Sequence, residues 1–313
     1  MITVVALSPS VDVSYVVDEF VLGSLHRPME VHKRPGGKSL NAARAAVTMG
    51  GDVSAIAVLG GDSGRFVARE LQASGVSLFE VEGAIPTRTC VSIASKADGR
   101  MTELYEPASA VSQAEWRSVL DVVRRTLHER PGWLAVSGSV PESLGVDAIA
   151  DLVGLAAATG VRVAIDGHGR PLEAAVAAGP ALVKVNRSEA AGLLHRHESA
   201  ELAVLADAAW QLSGGIVVVT DGTAGSVATD GHEYWRVRPS GVVGGFPVGS
   251  GDSFLGGMLA ALDGGMSLID SLRLGAGCAN ANALVAGAAD FTASAATAIA
   301  DLVEIESAQI DPC

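Results

Sequence analysis

Late in the chain, the run Val248-Gly249-Ser250-Gly251-Asp252-Ser253-Phe254 sets three small residues directly before one acid, at the head of a stretch with helical composition. Small residues let a backbone come close to an anion. A helix start offers unpaired N–H donors and the positive end of its dipole. An acid beside such a cradle opposes anion binding unless it has a task. Asp252 has one if it takes the proton from an attacking hydroxyl while the amides of Gly249, Ser250 and Gly251 hold the charge of a phosphoryl group in flight. Taken alone, the run also reads as a glycine-rich turn capped by an aspartate.

A second glycine-rich helix entry is Arg34-Pro35-Gly36-Gly37-Lys38-Ser39-Leu40-Asn41. Gly36 and Gly37 free the backbone to approach a ligand. Asn41, one turn into the helix, carries a donor and an acceptor suited to a sugar hydroxyl, and Lys38 adds a cation. The GxxxxGK[ST] spacing is absent, although Gly37-Lys38-Ser39 mimics its end. An ordinary loop with a surface lysine fits the same residues.

Short β-branched runs alternate with Ala/Leu-rich stretches. Strands are expected at 2–7, 53–58, 134–137, 162–166, 182–185 and 216–220, and helices at 39–49, 64–73, 112–127, 146–158, 171–178 and 200–212. This rhythm predicts an α/β fold with a mostly parallel sheet and helices on both faces, binding its ligand beyond the carboxyl ends of the strands. Two segments break it: 11–17 with 29–33, and 89–95 with 102–105, are strand-like with no helix between. They predict a small β-sheet lid (10–35 and 86–105) inserted into a core formed by 1–9, 36–85 and 106–313, placed to exclude water.

The 313 residues are 49% hydrophobic, enough for one large core. A net charge of −13 argues against an extended nucleic-acid surface and leaves room for a small anion in a local basic pocket. Cys90, Cys278 and Cys313 lack metal or CxxC spacing and read as free thiols of a reducing compartment. His26, His32, His168 and His195 show no metal spacing either. The Met1–Leu7 run has no basic flank, and polar residues interrupt the Ala-rich 275–302 segment. A soluble, cytoplasmic protein without a membrane span is expected. The lid's strand edges suit pairing with a second copy, so a homodimer through the lid is an expectation.

Together these runs resemble the ribokinase-like (PfkB) carbohydrate kinases, in that family's order and over essentially the whole chain. Ser8-Pro9-Ser10-Val11-Asp12 is similar to Asn-Pro-x-x-Asp. It is followed by Gly36-Gly37-Lys38 with Asn41, Gly60-Gly61-Asp62-Ser63-Gly64, Ser137-Gly138-Ser139-Val140-Pro141, Asn186-Arg187-Ser188-Glu189, Val219-Thr220-Asp221-Gly222 with Gly225, and Gly249-Ser250-Gly251-Asp252. The resemblance implies a three-layer α/β sandwich with a β-lid, and ATP-dependent phosphoryl transfer to a sugar hydroxyl with Asp252 as base. It further implies that Asp12, Gly36, Gly37, Lys38, Asn41 and Ser139 bind the acceptor. Lys184, Asn186, Thr220, Gly222, Gly225 and Asn280 would serve ATP, and Asn186 and Glu189 would organise Mg2+. By spacing alone, Asn186 and Glu189 also form a helix capping box.

Lys38 and the VGSGDS form of the last motif are similar to the 1-phosphofructokinase and tagatose-6-phosphate kinase branch, in which Arg88 would meet a substrate phosphate with its always-charged fork. A ketohexose phosphate is therefore the implied acceptor. Cys90 and Ser92 stand where that branch has Asn and Lys, which leaves a free sugar such as fructose as the alternative, or compensation by Arg27, Lys33 or Arg34. Phe246 stands where many free-sugar and nucleoside members carry an Asp linked to a monovalent-cation site; it offers no oxygen ligand, so activation of the ribokinase type by potassium is not expected.

Overall fold

The computed structural model describes residues 1–308; Cys313 lies outside them, while Cys90 and Cys278 are buried free thiols. In chain order the elements are β1 (Ile2–Ala6), β2 (Ser10–Val17), β3 (Glu30–Gly36), α1 (Lys38–Thr48), β4 (Val53–Leu59), α2 (Gly61–Ala73), β5 (Ser77–Glu82), β6 (Arg88–Ser95), β7 (Met101–Tyr105), α3 (Gln113–Glu129), β8 (Trp133–Ser137), α4 (Ala148–Ala157), β9 (Arg162–Asp166), α5 (Gly169–Ala177), β10 (Leu182–Asn186), α6 (Arg187–Leu193), α7 (Leu202–Ser213), β11 (Ile216–Thr220), β12 (Ser226–Thr229), β13 (Tyr234–Val237), α8 (Ser250–Asp263), α9 (Leu268–Ala283), α10 (Ala293–Ala300) and β14 (Ile305–Ser307).

The main sheet has ten strands in the order β14-β13-β12-β11-β10-β9-β8-β1-β4-β5. From β11 to β5 all neighbours are parallel; β12, β13 and β14 add antiparallel pairs at one edge. Strands β1 and β8 are buried along their whole length, as parallel strands covered on both faces must be. Helices α3 to α7 pack on one face through Trp116, Ile149, Leu172, Ala190 and Leu205. Helices α1, α2, α8 and α9 pack on the other through Leu40, Val67, Leu255 and Leu272. No helix among the described residues is long and apolar enough to cross a membrane.

The expected small sheet is present as β3-β2-β6-β7. Its register sets Asp12 opposite Cys90 and Cys90 opposite Tyr105, so these three share one face. Some boundaries differ from expectation. Strand β3 continues to Gly36, which pairs with Ser10, so Gly36 belongs to the small sheet. Helix α2 starts at Gly61 rather than Gly64, because the Gly64 N–H donates to the Gly60 carbonyl and closes the first turn. The edge strand β5 and the strands β12, β13 and β14 were not expected; β5 is largely solvated, so its acids mask the strand pattern.

Helix α8 lies close against α1 at Gly256, where a Cβ would overlap the Ala42 carbonyl oxygen and come within 2.8 Å of the Ala45 Cβ. Gly256→Ala is expected to destabilise the fold by about 1–3 kcal/mol through overpacking. A urea midpoint equal to that of the wild type would show that the two helices are free to separate.

Candidate active site

Along the chain, β1 is followed by β4 on one side and later by β8 on the other, which opens a crevice at their carboxyl ends. A cleft of about 690 Å³ occupies that edge, a volume suited to small molecules. Ala6, Ser8, Ser137, Gly138, Ser139, Lys184, Asn186 and Thr220 line it from the main sheet and its loops; Lys38, Asn41 and Gly249 to Asp252 line it from helix starts. The small sheet contributes Asp12, Arg88, Cys90, Glu103 and Tyr105. Gly222, Gly225, Val243, Ala279, Asn280 and Ala283 form the far end.

Asp252 sits in the first turn of α8 and is 6% exposed. Burial pushes its carboxyl up to about 6; the Lys38 charge opposes the rise and Asp166 adds to it. The Asn41 Nδ2 donates to Asp252 Oδ2 at 2.9 Å. Asn41 therefore spends one of its two donor hydrogens on the acid, while its Oδ1 is buried with no partner among the described residues.

Gly249 caps α8 with φ 82°, a left-handed turn that glycine adopts without strain. Ser250 N–H donates to the Pro247 carbonyl at 3.1 Å. Its amide is thus consumed by the turn, a correction to the expected anion cradle. Among the described residues the Gly249, Gly251 and Asp252 N–H groups have no partner, and they are the open donors here. A Cβ on Gly251 would lie 2.8 Å from Lys184 Nζ, so a cation stands beside these amides.

Asp166, at the end of β9, was not anticipated. Its fully buried carboxylate accepts from Lys38 Nζ at 3.0 Å and from Lys184 Nζ at 2.7 Å. Burial alone would raise it, but the two ammonium groups hold it below the usual carboxylate range. Lys38 Nζ also donates to Glu189 Oε1 at 2.7 Å. Burial disfavours the Lys38 charge, yet Asp166, Glu189 and Asp252 together hold it above its ordinary value. Lys38 is thus neutralised by protein groups rather than left as a free cation for a ligand. The signal for Asp166 was an acid ending a buried strand at the ligand edge.

Asn186 and Glu189 form the capping box of α6: Glu189 N–H donates to Asn186 Oδ1 at 2.9 Å, and Asn186 N–H to Glu189 Oε2 at 2.8 Å. Among the described residues no three or more His, Cys, Asp or Glu side chains gather into a metal cage.

In the lid, Asp12 Oδ1 accepts from Ser10 Oγ at 2.6 Å. Burial raises the Asp12 carboxyl, against the Ser10 hydroxyl, the Gly37 amide and the charges of Arg88 and Arg44. A Cβ on Gly36 would collide with the Asp12 carboxylate. Gly36 therefore makes room for Asp12 and is not itself on the cleft wall. Arg88 donates through Nη1 to the Glu106 carbonyl at 2.8 Å and through Nη2 to the Ser8 carbonyl at 3.3 Å; its buried Nε has no partner among the described residues. Cys90 faces the cleft, whereas Ser92 lines a small hollow beside Val248. Arg27, Lys33 and Arg34 are not on the cleft wall; Arg34 is bonded to Asp290 at 2.8 Å. Glu103 and Tyr105 were not anticipated on this wall, and the Tyr105 hydroxyl donates to Glu103. At the far end Asn280 Nδ2 donates to Ser240 Oγ at 2.7 Å.

Breaking the central pair is expected to leave Lys184 buried and uncompensated, so Asp166→Asn should lower unfolding stability by about 3–5 kcal/mol in urea titrations. An unchanged midpoint would mean the two lysines find other partners.

The chain matches the pfkB family carbohydrate kinases over residues 1–295. Among solved structures it is similar to phosphofructokinase-2 from Escherichia coli in complex with substrates and products, at 27% identity and a TM-score of 0.88, over 96% of this chain and 98% of that one. A protein described as a "possible 1-phosphofructokinase" from Thermotoga maritima shares the fold at 21% identity and a TM-score of 0.88, over 99% and 100% of the two chains. So does a carbohydrate kinase from Agrobacterium tumefaciens, at 22% identity and a TM-score of 0.74, over 97% and 99%. With its parallel sheet, its small lid and its glycine-headed aspartate in one cleft, the chain belongs to the pfkB family of carbohydrate kinases.

Proposed function

We propose that the protein transfers the γ-phosphoryl group of ATP to a hydroxyl of a ketohexose phosphate, with Asp252 as the base. The observation that carries this reading is the head of α8: a buried carboxyl pushed up to about 6 beside the unpaired Gly251 and Asp252 amides and the Lys184 ammonium. A carboxylate of that basicity takes a hydroxyl proton near neutral pH, and fixed donors beside it hold charge on a transferring phosphoryl group. Asn41 holds the Asp252 carboxylate in one orientation, leaving Oδ1 to accept the acceptor's proton.

Asp12, Arg88 and Ser139 face the acceptor side of the cleft, and Thr220, Gly222, Gly225 and Asn280 its far end, where small residues leave room for a nucleotide base. Mg2+ takes oxygen ligands and keeps several waters; with both Glu189 oxygens accepting from Lys38 and the Asn186 N–H, and Asn186 Oδ1 accepting from the Glu189 N–H, this pair would hold the ion partly through water. Bound there, the ion would neutralise phosphate charge. The similarity to phosphofructokinase-2 supports a sugar phosphate as acceptor, and Arg88 is the cation that would meet it. A free sugar is the second reading, favoured by Glu103 and Asp12: two carboxylates share this wall with one guanidinium. Exposed Val31 and Leu104 on the lid strands support pairing with a second copy.

Fructose 1-phosphate, fructose 6-phosphate, tagatose 6-phosphate and fructose, each assayed with ATP and Mg2+, decide between the readings. Arg88→Ala is expected to raise KM for a phosphorylated acceptor, and an unchanged KM removes the phosphate from the proposal. Asp252→Asn is expected to lower kcat about 100- to 10,000-fold. Because the base works only when ionised, kcat/KM should fall as pH drops below about 6 and level off above it. A flat profile through that range would assign the proton to another group.

A further inference from the structure

Asn282, near the end of α9, is 0% exposed and lies behind the Gly249 turn rather than in the cleft. Its Nδ2 donates to the Val248 carbonyl at 2.8 Å and to Ser250 Oγ at 3.1 Å, with the Phe246 carbonyl at 3.5 Å. Its Oδ1 accepts from the Ala289 N–H at 2.7 Å and from Ser253 Oγ at 3.3 Å. The amide's orientation is forced, because a carbonyl can only accept and a backbone N–H can only donate. Both donor hydrogens and both lone pairs are used.

The groups gathered by this one side chain belong to two stretches of backbone far apart in the chain: residues 246–253, which run from the turn into the first turn of α8, and the segment after α9. That last segment is itself held firmly. Ala289 is buried with φ 53°, a left-handed conformation costly for a residue with a Cβ. The Ala288 carbonyl accepts from Arg44 Nη1 at 2.8 Å. Asp290 is bonded to Arg34 of β3. Ala288 also presses on the turn, since a Cβ on Gly249 would come 2.5 Å from its own Cβ.

We propose that Asn282 is the positioning residue of the phosphoryl-binding turn: its amide sets where the Gly249, Gly251 and Asp252 N–H groups stand. The proposal rests on the kinase reading of that turn. Removing Nδ2 leaves the Val248 carbonyl facing a void without a donor, and the turn relaxes toward other partners. Displacing fixed donors by about 1 Å is enough to cost about 100-fold in rate. Substrate affinity is spared, because Asn282 touches neither the acceptor wall nor the far end of the cleft.

The test compares wild type, Asn282→Ala and the isosteric Asn282→Asp, each checked for folding by circular dichroism and melting. Asn282→Asp keeps the acceptor toward Ala289 and loses the donor toward Val248, so it carries the test if Asn282→Ala does not fold. In each folded variant kcat is expected to fall about 100-fold with KM for ATP and for the sugar within about twofold. Ammonium chloride, set against sodium chloride at equal ionic strength, should restore part of kcat in Asn282→Ala by supplying N–H donors to the vacated space, and should leave the wild type unchanged. A folded variant with wild-type kcat, a loss shared between kcat and both KM values, or equal rates in the two salts for Asn282→Ala overturns the assignment. So does ammonium stimulation of the wild type as large as that of the variant. Absence of kinase activity in the wild type would instead overturn the function proposed above.

Discussion

One carboxylate without access to water, Asp166, binds two ammonium groups, and the charge of the cleft floor follows from that arrangement. A buried charge must be paired, because desolvation costs it several kcal/mol or more. Lys184 arrives from the neighbouring strand β10 and Lys38 from the first turn of α1. Their positions then fix others. Lys38 draws Glu189 toward the floor, and the second Glu189 oxygen closes the start of α6. Lys184 is kept beside Gly251, where it supplies a positive charge to amides that would otherwise act alone.

Close backbone approach is the second constraint. Helices α1 and α8 approach at Gly256, and this approach brings Asn41 within 2.9 Å of Asp252 although 211 residues separate them. Neighbouring contacts rely on small residues too: a Cβ on Gly275 would stand 3.0 Å from the Phe254 ring. The polar geometry of the site is thus held by tightly packed apolar helices, which transmit little slack.

The sequence made the parallel core, the lid and the chemistry-bearing motifs legible because each has a local signature: β-branched runs, glycine before a helix, strands without an intervening helix. The partners of those motifs have no such signature. Lys38 and Asn41 are recognisable as functional residues, yet whether they face a ligand or another side chain depends on Asp166, 128 residues from Lys38, and on the angle between α1 and α8. Asn186 and Glu189 have the capping spacing in sequence and the cap in the structure, because that interaction is local. Asn282 resembles any polar residue in an Ala-rich helix until the 246–250 turn is folded against it. Strands β12, β13 and β14 are short edge elements whose pairing is set by the sheet rather than by their own pattern.

The two walls of the cleft belong to different sheets. Asp12, Arg88, Cys90, Glu103 and Tyr105 all come from the lid strands, while Lys184, Asn186 and the head of α8 come from the core. Cys90, Glu103 and Tyr105 belong to none of the core's apolar clusters, unlike Val91 of β6, which packs against one, so exchanging these cleft-facing side chains leaves the core's packing intact. Such an architecture lets an evolving lineage retune its choice of small molecule through a handful of lid positions, with the inherited reaction machinery left as it was.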